Sequence, residues 1–366
     1  MDNPLDAYRK TFKVYGLESD LHIKMIYEAW NEEHRHWHSY TSHLLYLLER
    51  IERDKKDLSL PLYQALVMTS IFHNIVFDPR SRGRYDKSAD VFEVLCPNTD
   101  APYYDDIVAT IMALKYDNFE INELAIFFHE YDRNILMRPM NFRRLVEYEK
   151  KIFLENKYLD FKRYRTKRLA WLEKWRNKNP DFESTASQLM EYVRSFHPKI
   201  GVYVGSFDPF HKGHYSVLKK SEKLFDKVII AIGINPKKEG QKQVTNRLAR
   251  IRECLPYHQI ESFEGFFTDF LKELGYETTV IRGIRNTSDL NAEIALQRTF
   301  EDLYPEINIV YFFSDHSVQH ISSTRARNFS IIKPGSEKIY TIEPQKSIYD
   351  KLHLGDSEEL DAKYEN

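Results

Sequence analysis

Glycine most constrains what this 366-residue chain can fold into: Gly16 and Gly83 are the only two in the first 200 residues, and ten fall in the remaining 166. A backbone nearly free of glycine suits continuous helices, whereas tight strand-to-helix turns and close approach to a ligand call for residues without a Cβ. The two parts therefore have different grammar. In the first, apolar residues recur at three- and four-residue spacing over 39–52, 60–72, 104–114, 121–129 and 142–154, which predicts helices, and nothing there reads as a strand. From Ile200 on, short apolar runs at 200–204, 228–232, 259–263, 279–281 and 309–313 alternate with helical patterns, the grammar of a five-stranded parallel sheet. The polar stretch 195–199, with His197-Pro198 ahead of the first strand, marks the expected boundary. The expected organisation is an all-α domain over 1–195, an α/β Rossmann-like domain over 199–354 and an acidic tail over 355–366.

Charge narrows the function classes. Lys and Arg number 53 against 55 Asp and Glu, so no broad positive surface for nucleic acid is expected, although a local basic pocket remains open. Cys96 and Cys254 stand far apart with no partners at metal-ligand spacing, which argues against a disulfide framework or a zinc finger and for a reducing, cytoplasmic setting. The opening MDNPLDAYRK is charged, and no run of about 18 uncharged apolar residues occurs, so neither secretion nor a membrane span is expected.

The chemistry gathers in the second part. Directly behind the apolar run 200–204 comes Gly205-Ser206-Phe207-Asp208-Pro209-Phe210-His211-Lys212-Gly213-His214. A strand that passes through such a turn into a helix leaves free backbone N–H groups where the helix dipole favours phosphate, which points to a nucleoside triphosphate. His211 and His214, three apart, are expected on one side of the first turn, both facing the phosphates. Further polar groups follow the later strands, where open parallel sheets bind ligands. Asn235-Pro236-Lys237-Lys238 follows the second strand, Arg282-Gly283-Ile284-Arg285 follows the fourth, and Ile321-Ser322-Ser323-Thr324-Arg325 follows the fifth. Paired arginines suit phosphate because each offers planar, multidentate donors. Glu293 on the following helix is a candidate ribose or base partner.

Read together, GSFDPFHKGH, NPKK, GFFTDFLKELG, RGIRNTSDLNAEIALQ and ISSTRAR make the stretch from Ile200 to Leu354 resemble the phosphopantetheine adenylyltransferase family of nucleotidyltransferases. The resemblance implies transfer of the adenylyl group of ATP, with magnesium, to 4′-phosphopantetheine, giving dephospho-coenzyme A and pyrophosphate. Ser206 and Phe207 would touch ATP, and His214 would stabilise the α-phosphate as charge develops; His211, Gly283, Ile284, Arg285 and Glu293 would hold the nucleotide. Lys238, with Lys237 as alternate, would contact the incoming phosphate with Arg282 and Ser206, and Thr268 the pantetheine arm. Val318, Ser322, Ser323 and Thr324 would line the ATP site, with Ser323 donating to the phosphates. ISST followed by arginine is also similar to the pyridine mononucleotide adenylyltransferases, which leaves nicotinamide or nicotinate mononucleotide as the alternative acceptor. The family resemblance implies a homo-oligomer, hexameric among bacterial members.

The first part carries a second constellation. Seven of the fourteen histidines lie between His22 and His129, four of them at His34, His36, His38 and His43. Helical spacing does not put all of them on one face, so the alternatives are a metal site or a polar helix start with one or two buried histidines. RHWH, FHNIVFDPR at 72–80 and FHEYD at 128–132 resemble an all-helical HD-superfamily group of metal-dependent phosphohydrolases. The resemblance implies metal ligands at His38, His73 and Asp132, with His36 beside them. Asn74 stands where that group has the aspartate of its His-Asp pair, and 109–116 lacks a further histidine, so a degenerate scaffold for assembly, sensing or partner binding is the expectation and a working hydrolase the alternative.

Overall fold

The computed structural model describes residues 3–133, 136–137, 141–234 and 241–354. Among these, every element before Ile200 is helical and all five strands come after it, as the glycine distribution predicts. The chain forms two compact units, but not by a single cut: one takes Met1–Glu155, Lys174–Leu189 and the segment from Lys346 on, the other Asn156–Glu173 and Met190–Gln345. This differs from the expected 1–195 and 199–354. The segment after Glu155 packs with the sheet because Tyr276 donates to Asp160 at 2.9 Å, Phe161 meets Tyr276 edge-on, and the buried Lys227 ammonium donates to the Leu159 carbonyl. Ile348 and Tyr349 instead join the helical core. The expected tail, 355–366, lies outside the described residues.

In the helical unit, α1 (Leu45–Asp54) is preceded by a π-helical turn, Tyr40–Leu44, where a regular helical start was expected. Ser39 caps that turn, accepting from the Ser42 N–H at 3.3 Å. The wider turn buries Tyr40, His43 and Leu44 together. Helix α2 (Leu60–Phe72) starts at the Ser59 cap with Pro61 in its first turn and is buried on all sides from Leu62 onward, which makes it the centre of the core. Trp30 fixes its end by donating to the Ile71 carbonyl at 2.9 Å. Helices α3 (Glu123–Arg133) and α4 (Phe142–Glu155) follow.

The second unit is a parallel sheet ordered β3-β2-β1-β4-β5. Its strands are β1 (Ile200–Gly205), β2 (Lys227–Ile234), β3 (Gln259–Glu264), β4 (Thr279–Ile284) and β5 (Asn308–Phe313). Helices α5 (Lys212–Ser221), α6 (Gln241–Cys254), α7 (Phe267–Leu274) and α8 (Thr287–Leu303) join them in turn, and α9 (Ser323–Ile332) follows β5. The order reverses between β1 and β4, which opens a crevice at their carboxyl ends. Gly201 permits this pairing, since a Cβ there would sit 2.4 Å from Ile281 Cδ1 and 3.1 Å from the Phe225 ring. Gly201→Ala is therefore expected to cost about 1–3 kcal/mol through overpacking. A fall in the chemical-denaturation midpoint would show it, and an unchanged midpoint would mean that Ile281 and Phe225 give way freely.

Candidate functional site

The carboxyl ends of β1 and β4 and the starts of α5, α8 and α9 enclose a cavity of about 360 Å³, within the size range of nucleotide and cofactor sites. Ser206, Phe207, His211, His214, Arg282, Gly283, Arg285, Glu293, Ser322, Ser323 and Thr324, all expected at the site, line it. Segments some eighty residues apart in sequence thus line one cavity.

His211 does something the sequence reading missed. It is the N-cap of α5: its Nδ1 accepts from the Gly213 and His214 N–H groups at 3.1 and 3.3 Å, while His214 Nδ1 accepts from the His211 N–H at 3.3 Å. This reciprocal capping replaces the usual serine and glutamate with two imidazoles stacked 3.6 Å apart. Gly213 makes room, because a Cβ there would lie 3.0 Å from the His211 ring. Since each Nδ1 accepts, each neutral ring carries its proton on Nε2. Burial, aided by the Arg285 guanidinium, lowers the His211 pKa to about 4; burial, His211 and Arg285 push His214 well below its ordinary value. Both rings are therefore neutral near pH 7, and His214 offers an Nε2–H donor. His211 keeps an Nε2–H on the same count and also lines the cavity, so the cap is a role beside the expected phosphate contact rather than in place of it.

Arg282 of β4 and Arg285 just after it are held sideways. Arg282 donates to both oxygens of Glu293, at 2.6 Å through Nε, and to the Val204 carbonyl at 3.2 Å. Arg285 donates to Asp289 through Nε at 2.8 Å and Nη2 at 3.1 Å. Ser322 caps α9 and Ser323 Oγ donates to the Pro209 carbonyl at 3.2 Å, so the last helix start leans on the loop of the opening motif. Three expected residues are not in the cavity lining. Thr268 is buried on α7, Ile284 is buried behind the sheet end, and Val318 is represented nearby by its carbonyl, 3.6 Å from the space a Cβ on Gly213 would take. Lys237 and Lys238 lie outside the described residues. Asp289 and Tyr203 line the cavity without having been expected. The four-residue spacing of Arg285, Asp289 and Glu293 was the available signal for Asp289.

In the helical unit the histidine cluster differs from the expected one. His43 Nε2 lies 3.1 Å from His73 Nε2 and 3.2 Å from Asp132 Oδ1, and His73 Nε2 lies 3.9 Å from the same carboxylate. These three groups have metal-ligand spacing, whereas His38 is not among them. The His38 ring donates from Nδ1 to Glu155 at 2.8 Å, and Glu155 also accepts the N–H groups of His36 and His38. Burial raises the Glu155 pKa, but these contacts outweigh it and hold the carboxyl at about 2. His73 donates from Nδ1 to the Ser70 carbonyl at 2.8 Å, which leaves its Nε2 lone pair facing His43 and Asp132. Burial lowers the His73 pKa to about 3. The inward turn of His43 comes from the π-helical start, and Glu155 is 117 residues from His38, so neither partner had a local signal.

The cytidylyltransferase-like family model matches residues 202–329. A phosphopantetheine adenylyltransferase of Streptococcus equi subsp. zooepidemicus is 40% identical over 133 residues, which span 35% of this chain and 80% of the relative. That of Mycoplasma mycoides subsp. mycoides is 34% identical over 139 residues, 37% of this chain and 99% of the relative. The chain belongs to the phosphopantetheine adenylyltransferase family. The family likeness of these relatives covers about a third of the chain, with the matched model lying inside the sheet-bearing unit. Among the described residues, no helix is long and apolar enough to cross a membrane.

The His211 cap carries a pH signature. Its folded pKa of about 4 lies below the unfolded value of 6.5, so the unfolded chain takes up the proton first as pH falls. The cap's contribution is full above pH 6.5 and is lost progressively toward pH 4. His211→Asn, which keeps an N-cap acceptor but does not titrate, should flatten the fall of the denaturation midpoint across that window. Parallel profiles for the two proteins would refute this account.

Proposed function

We propose that the sheet-bearing unit transfers the adenylyl group of ATP to the phosphate of 4′-phosphopantetheine, yielding dephospho-coenzyme A and pyrophosphate. The observation that carries this reading is the convergence of the GSFDPFHKGH turn and the RGIR strand end on one cavity, in a chain 40% identical over 80% of a relative of that name. An oxygen of the acceptor phosphate attacks the α-phosphorus of ATP, and pyrophosphate leaves from the opposite side. That nucleophile is already ionised, so a general base is not needed, and the protein's work is positioning and charge stabilisation. His214 Nε2–H, the start of α5 and the remaining N–H groups of Arg285 are assigned to the charge on the α-phosphate and leaving group, with Ser323 at the start of α9; that all of them line one cavity supports the assignment. Arg282 and Lys238 are assigned to the acceptor phosphate. Asp289 and Glu293 are already engaged by arginines, so magnesium is assigned to the phosphates it arrives with as part of the ATP substrate.

Pyrophosphate release with ATP, magnesium and 4′-phosphopantetheine is expected from the full chain. His214→Ala should lower kcat by about 10²–10³, the usual loss for one donor to a developing oxyanion. Release with nicotinamide mononucleotide and none with phosphopantetheine would move the protein to the alternative acceptor.

A second reading concerns the helical unit: His43, His73 and Asp132 bind one divalent metal ion. The tautomer of His73, fixed by the Ser70 carbonyl, supports it, as does the shared approach to Asp132 Oδ1. The three side chains would supply two imidazole nitrogens and one carboxylate oxygen, a set suited to zinc, manganese or iron. Elemental analysis of the full chain after incubation with these metals should find about one ion per chain, lost in His43→Ala and Asp132→Ala and retained in His38→Ala. Loss in His38→Ala with retention in His43→Ala would restore the ligand set expected from sequence and overturn this one.

A further inference from the structure

We propose that Asp289 is a positioning residue for adenylyl transfer, acting through Arg285. The inference rests on the transferase reading above and adds a residue to which that reading gives no role.

Asp289 grips Arg285 at three points. Its Oδ2 accepts from the backbone N–H at 3.1 Å and from Nε at 2.8 Å, while Oδ1 accepts from Nη2 at 3.1 Å. The carboxylate is itself held. Asp289 lies in the first turn of α8, where the Asn286 side chain accepts its backbone N–H at 2.9 Å, and a negative charge in that turn is favoured by the helix dipole. The third side of the guanidinium donates from Nη1 to the Ile321 carbonyl at 3.4 Å, immediately before the Ser322 cap of α9. Arg285 is thus stretched between the starts of two helices that both border the cavity.

A guanidinium has five N–H groups. Three are used by Asp289 and Ile321, which leaves two for a ligand on a side chain that lines the cavity and is held in one orientation. An arginine free to rotate would lose its rotamer freedom on meeting the phosphates, and here that ordering is complete before the nucleotide enters. Glu293, one turn further along α8, grips Arg282 from the same helix face. The helix therefore acts as a rack that spaces both arginines of RGIR, and Asp289 is the member that holds Arg285. Arg285 bears on both of those rings electrostatically, which places its charge close to the donor side of the cavity.

A mutant cycle tests this on the full chain, by pyrophosphate release under saturating ATP and 4′-phosphopantetheine. Asp289→Ala is expected to lower kcat by about 10- to 100-fold, the scale of a misplaced catalytic group. Arg285→Ala should lower it by at least as much, and the double variant should be no worse than Arg285→Ala alone. Asp289→Asn, near-isosteric and still able to accept one bond, should fall between wild type and Asp289→Ala, with a denaturation midpoint close to that of the wild type. Multiplicative losses in the double variant, or full activity in both Asp289 variants while Arg285→Ala is impaired, would overturn the positioning role and leave the transferase reading intact. A wild-type chain that releases no pyrophosphate with either acceptor would remove both.

Discussion

Parallel pairing of β1 with β4, from Gly201 against Thr279 to Tyr203 against Ile281, is the constraint on which the catalytic unit depends. The two strands are separated in sequence by β2 and β3, yet lie side by side because the order of the sheet reverses there. Two turns that would otherwise diverge are brought to the same edge. The absence of a Cβ at Gly201 is what lets the strands and the Phe225 ring close together. Everything that follows, from the α5 cap to the seat of Arg285, inherits its position from this pairing.

Within the crevice, charge is balanced before any substrate arrives. Arg282 and Arg285 are each matched to a carboxylate of α8, and both histidines of the opening motif are neutral. An array of this kind avoids the cost of burying unpaired cations. In the proposed transfer it also leaves N–H donors and two helix starts to meet phosphate, groups that are directional and need no rearrangement at the moment of reaction. Catalysis then depends on orientation more than on net positive charge, in keeping with a chain whose charges nearly cancel.

The helical unit follows the same logic of oriented imidazoles with a different partition. Glu155 takes His38 by its Nδ1 and by its backbone N–H, while the Ser70 carbonyl takes His73 by its Nδ1. The first contact draws His38 toward a carboxylate of α4, and the second turns His73 toward His43 and Asp132. His43 lies within the π-helical turn that buries it, whereas His38 precedes that turn and is held by Glu155.

Local patterns along the chain determined a good deal. Apolar spacing located α2 and all five strands, and the glycine count separated helical from sheet-forming backbone, because both depend on the preferences of neighbouring residues. The motif turn and the arginine pair were legible for the same reason, as each is a short stretch whose chemistry is carried by adjacent side chains. The His211 cap, the Asp289 and Glu293 rack, the replacement of His38 by His43 and the return of Ile348 and Tyr349 to the helical core were not. Each of these depends on which ring nitrogen, which helix face or which distant segment comes within about 3–4 Å, and only the tertiary packing sets such distances.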